Sequence, residues 1–66
     1  MRIHYDATVD ALHIQLDDAE VVESEEVRPG IILDFGANAR IVGIEILDVR
    51  QQVPKADLQQ LRALVA

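Results

Sequence analysis

Apolar and polar residues alternate along most of this chain, and the period changes only near its end. From Arg2 to Tyr5, Ile3 and Tyr5 fall on one side and Arg2 and His4 on the other. From Ala11 to Leu16, Leu12, Ile14 and Leu16 face one way while His13 and Gln15 face the other. Alternation with period two is the mark of a half-buried strand. The intervening Asp6-Ala7-Thr8-Val9-Asp10 reads as a loop, because aspartate side chains bond nearby backbone N–H groups.

Three further strands follow. Residues 20–27 (EVVESEEV) are β-rich at the ends and acidic in the middle, which suits a poorly covered edge. Arg28-Pro29-Gly30 is a turn, with proline presetting φ and glycine supplying a positive φ. Residues 31–35 and 41–48 (IVGIEILD) complete the set, the last being the most apolar stretch. With 2–5 and 11–16 this predicts five strands.

Beyond Asp48 the spacing becomes helical. Pro54 suits a first helical turn, Asp57 the positive end of the helix dipole, and Leu58, Leu61, Leu64 and Val65 one apolar stripe. The prediction is a helix over 54–65 that docks on the sheet, since so short a helix is unstable alone. The expected fold is therefore α+β, an antiparallel meander of about five strands with one C-terminal helix packed on one face. It forms a single domain over residues 1–66.

Successive hairpins predict a register that brings side chains together. Pairing Tyr5 with Leu12 sets His4 opposite His13; continuing the meander sets His13 opposite Glu25, Glu25 opposite Asp34, and Asp34 opposite Gly43. His4, His13, Glu25 and Asp34 then form one polar row, the candidate binding residues. Two imidazoles and two carboxylates in a row can hold a divalent metal or exchange protons. An antiparallel sheet also commonly turns one polar face to water, which is the weightier reading, so no catalytic residue and no metal ligand is assigned. A one-residue slip in any hairpin dissolves the row.

Ile32, Ile41 and Leu47 fall on the same face by alternation, where a helix on the other side cannot reach them. Contiguous exposed apolar surface on a small protein marks an interaction site, and Gly43 among them permits close backbone approach. These four are the candidate interface, with a homodimer as the expected assembly.

Composition narrows the choices. Sixty-six residues bury a small core, and there is no cysteine for a disulfide or thiolate zinc site, so packing and oligomerisation must stabilise the fold. Twelve acidic against six basic residues give a net charge of −6, a poor match for nucleic acid and a better one for a basic protein. No phosphate-cradling glycine loop or nucleophile motif is present, and no cofactor is expected. The strand pattern begins at once, with no apolar leader or membrane-length stretch, so a cytoplasmic location without membrane contact is expected.

Several pieces together carry a family resemblance. They are Tyr5-Asp6, Asp10-Ala11-Leu12-His13-Ile14, Glu23-Ser24-Glu25-Glu26-Val27, Gly30-Ile31-Ile32-Leu33-Asp34, and the run from Arg40 to Asp48 (RIVGIEILD). In these the chain resembles the YuzE-like proteins, short and mostly bacterial chains whose domain has no assigned function, over residues 1 to about 50. The resemblance implies a compact sheet-and-helix domain without agreed catalytic residues. Some such chains sit beside small toxin-like proteins, which implies an antitoxin-like or regulatory binding role. The leading expectation is thus an acidic interaction module, homodimeric, that also serves as an antitoxin-like or regulatory partner of a small basic protein. A metal-dependent or acid–base enzyme using the polar row is the alternative.

Overall fold

The computed structural model describes residues 1–54. They form five strands: β1 (Arg2–Asp6), β2 (Ala11–Gln15), β3 (Glu23–Arg28), β4 (Ile31–Phe35) and β5 (Ile41–Ile46). A four-residue helix, α1 (Val49–Gln52), follows. All pairings are antiparallel, so the α+β class and the five-stranded antiparallel sheet with one short C-terminal helix are as expected. The expected helix over 54–65 and its docking lie, apart from Pro54, outside the described residues.

The order across the sheet is β1-β2-β5-β4-β3. β3-β4-β5 is a meander and β1-β2 a hairpin, but the strand beside β2 is β5, not β3. The physical reason lies in the two sequences. IVGIEI has an apolar face to bury and gains from neighbours on both sides, whereas ESEEVR is exposed at every position and belongs at an edge. Residues 16–22 make the crossing along one end of the sheet. There the N–H groups of Leu16 and Asp17 donate to the Val42 carbonyl (2.7 and 3.2 Å) and that of Val22 donates to Phe35 (2.8 Å).

This order corrects the register downstream of β2. His4 does stand opposite His13, and Asp34 opposite Gly43. His13, however, faces Glu45 on its other side, Asp34 faces Ser24, and Glu25 faces Leu33. A one-residue change of phase in the β3–β4 hairpin moves Glu25 to the opposite side of the sheet from Asp34. The turn itself is as expected, with Gly30 at φ 80°.

The buried core gathers at the closed end of the first hairpin. Tyr5, Leu12 and Val49 are buried, with Ile3, Ala7, Ile14 and Ile46 packed against them. Val49, fully buried, plugs α1 into this cluster. Asp10 ties the plug down: its carbonyl accepts from the Val49 N–H (3.1 Å), Oδ2 from the Arg50 N–H (3.0 Å), and Oδ1 from the Tyr5 hydroxyl (2.6 Å). These bonds explain why a ring facing the core can carry its hydroxyl at the rim. No described helix is long and apolar enough to cross a membrane.

Candidate functional site

Alternation places Ile3, Tyr5, Leu12, Ile14, Leu33, Ile44 and Ile46 on the core side and leaves the other face of the sheet to polar side chains. That face carries Arg2 and His4 from β1, His13 and Gln15 from β2, Gly43 and Glu45 from β5, Ile32 and Asp34 from β4, and Ser24 and Glu26 from β3. No described element covers it.

At its centre sits Asp34, only 3% exposed. Its Oδ1 accepts a 2.6 Å hydrogen bond from Ser24 Oγ across the β3–β4 ladder. Its Oδ2 lies 3.8 Å from Nε2 of His13, whose ring is about half exposed. The two side chains meet over Gly43. A Cβ built there would lie 3.3 Å from Asp34 Oδ2, 3.4 Å from His13 Nε2 and 3.1 Å from the Ile14 carbonyl. Glycine in mid-strand weakens a strand, and here its missing side chain is the space in which imidazole and carboxylate converge. Glu45, opposite His13, completes the group, and one donor atom from each of the three lies within 4.8 Å of the others.

Glu45 is pushed up to about 7 by hydrogen bonding to Asp34, by burial and by the charge of Asp34. Asp34 is held below the usual carboxylate range by its bond with Glu45 first, helped by the Ser24 hydroxyl and the charge of His13 and opposed by burial. Two like charges at contact separate in this way: one ionises readily and the other resists. The arrangement can hold a proton near neutrality, or a cation in its place.

Of the residues singled out by sequence, His13 and Asp34 come together and His4 flanks them; Glu25 is excluded. Glu45 and Ser24 take its place. Glu45 had a signal, as the single charge within the apolar run IVGIEI, which calls for a partner in a central strand. Ile32 is half-buried on the open face, beside Glu45 and Glu26. Ile41 and Leu47 are exposed at the two ends of β5, Ile41 opposite Phe35 across an irregular pairing and Leu47 donating its N–H to the Gly30 carbonyl (2.8 Å). Two surface hollows among the described residues lie away from this group. One is formed by Met1, Arg2 and residues 15–18, the other by residues 28–31 with Asp48, Gln51 and Gln52.

Fold and site define a class: a small α+β domain of one antiparallel sheet, with an open polar face centred on a histidine–carboxylate group. Within that class the chain belongs to the DUF2283 family of proteins of unknown function, which it matches over residues 2–50. The match ends in α1, so it spans the whole sheet and the Asp10 tie. Comparison with curated proteins and with solved structures gives no match.

Proposed function

We propose that the domain is a small acidic interaction module that pairs with a second copy of itself through the open face of its sheet. The observation that carries this reading is the division of charge across that face. Arg2, which also pairs with Asp18 (3.1 Å), and the imidazoles of His4 and His13 stand on β1 and β2; Glu45, Asp34 and Glu26 stand on β5, β4 and β3. Asp6, the exception at the end of β1, is occupied by the Thr8 N–H (2.9 Å). A two-fold axis along β5 lays β2 of one copy over β4 of the other and β1 over β3. Each nitrogen-rich half then meets an acidic half, the self-complementarity that a closed dimer requires. Ile32 supplies the apolar contact near the axis.

Edge-to-edge pairing is the competing route, and the side chains oppose it. Glu23, Glu25 and Glu26 line the β3 edge, and two such edges repel. The face itself is small. Four strand spacings of about 4.8 Å and five residues at about 3.3 Å give a patch roughly 19 by 17 Å, well under the ~800 Å² per partner of a stable interface. The pairing is therefore weak and transient.

Light scattering across a micromolar-to-millimolar series tests it. The mass is expected to rise towards a dimer, less so in high salt, while Ile32→Lys and Arg2→Glu stay monomeric with unchanged circular dichroism. A monomer at millimolar concentration overturns the reading. A small basic protein is the second reading, favoured by the net charge of −6 and by the likeness to YuzE-like chains. It predicts a salt-sensitive complex with one such protein in pull-downs from the native host. An enzyme is the weaker reading, since the half-exposed His13 ring lies on a face that no described element encloses.

A further inference from the structure

The pairing proposed above leaves open what neutralises two carboxyls in contact within each chain. We propose that His13 Nε2, Asp34 Oδ2 and the Glu45 carboxylate bind one first-row divalent transition-metal ion, with its remaining coordination positions open to solvent. The site needs a single chain only and does not depend on the pairing.

Three observations converge. The donors are of two kinds and come from three adjacent strands, so a rigid ladder rather than a loop sets their spacing. Donors on one such ion, at about 2.0–2.2 Å from it, lie roughly 3 to 3.5 Å from each other. His13 Nε2 and Asp34 Oδ2 are already at 3.8 Å and the whole group within 4.8 Å, so side-chain rotation of about an ångström closes the triangle.

Next, Ser24 occupies Oδ1 of Asp34 and leaves Oδ2 turned to the imidazole. An outer hydrogen bond that fixes a carboxylate's free oxygen is what metal sites use to orient a ligand. Finally, Gly43 keeps the floor of the site clear, where any Cβ would stand against both donor atoms. One imidazole with two carboxylates suits zinc, manganese or cobalt better than the all-oxygen shells of calcium and magnesium. Asp34 is nearly buried, and among the described residues its one ion-pair partner is His13.

Calorimetric titration of the whole chain with zinc, and optical titration with cobalt, test the assignment. The expected result is one ion per chain, weakened at least tenfold by His13→Ala and by Gly43→Ala, with circular dichroism confirming the fold. Glu25→Gln removes a carboxylate from the other side of the sheet and is expected to leave affinity unchanged. Manganese-induced broadening of amide signals in the unmutated chain is expected to centre on residues 13, 34, 43 and 45. No saturable binding by either ion overturns the proposal. So does equal binding in His13→Ala, an equal loss in Glu25→Gln, or broadening centred on Asp17 and Asp18 or on β3. Because the same titration can be run on Ile32→Lys, failure of the dimer and failure of the metal site are separate results.

Discussion

Asp10 and Asp34 are the same residue in opposite circumstances. Asp10 stands in the loop after β1, and each of its acceptors has its own donor: Tyr5 Oη, the Arg50 N–H and the Val49 N–H. Asp34 stands in the middle of β4 with one oxygen satisfied by Ser24 and the other turned towards an imidazole 3.8 Å away and a second carboxyl. Both are held below the usual carboxylate range, Asp10 chiefly by the Tyr5 hydroxyl and Asp34 chiefly by Glu45. The first set of bonds completes the fold and needs nothing more. Among the described residues the second leaves two carboxyls facing each other, which a proton or a bound cation offsets. A carboxylate that its own fold satisfies is architecture, and one that its fold leaves facing another carboxylate is a place for a ligand.

The sharpest way to break this contrast is to damage the architectural end alone. Val49→Ala empties a fully buried site beneath Asp10, and lost burial plus a residual cavity should cost about 2 kcal/mol. For a domain of this size that lowers the melting temperature by roughly 10 °C. Zinc affinity, measured well below the melting range, is expected to stay the same. A parallel loss of metal binding would show that the two regions are one unit.

Tyr5→Phe is a gentler cut at the same end. It keeps the buried ring and removes the 2.6 Å donor to Asp10, a change of about 1 kcal/mol. Thermal melts should show a drop of several degrees at neutral pH, again without effect on the sheet face. The drop should shrink in acid. Asp10 is depressed in the folded chain, so its contribution is fully present above the unfolded value of 3.8 and disappears as pH falls through the folded one. Equal Tyr5→Phe effects at pH 7 and pH 2 would detach the tyrosine from the carboxylate.

How much of this was legible in the sequence differs between the two ends. Period-two alternation located the first two strands, β-rich or apolar composition between turn signals located the other three, and the first hairpin register followed from matching Tyr5 to Leu12 and Ile3 to Ile14. Hairpin logic then failed at β2, because it pairs neighbours in sequence and has no means of counting how many partners a strand wants. The acidic middle of residues 20–27 marked an edge strand, and the apolar run 41–46 a central one. An edge strand cannot be third of five in a meander, so composition already opposed the register that turn spacing suggested. Glu45 escaped notice for the same reason: its neighbours His13 and Asp34 are 32 and 11 residues away in the chain and meet it only because β5 enters between β2 and β4. The Asp10 tie joins residues 40 apart and depends on the same closure.

The smallest expected effect is also the most specific to the site. In the presence of a chelator, Glu45 is raised to about 7 in the folded chain against 4.5 for an ordinary glutamate. A raised group contributes stability that is fully present below the unfolded value and lost as pH rises through the folded one. The metal-free chain should therefore lose a little stability between pH 5 and pH 8, the reverse of the trend that Asp10 imposes in acid. Glu45→Gln keeps a hydrogen bond to Asp34 without a proton to lose, so its melting temperature should be flat over the same interval. Exposure of the pair screens the effect and keeps it to a few degrees at most. Adding zinc to the unmutated chain should flatten the profile as the substitution does, because the ion takes the place of the proton. A substituted chain that still declines from pH 5 to pH 8 would move the proton away from Glu45 and leave the acidic pair no different in kind from the satisfied carboxylate at the other end.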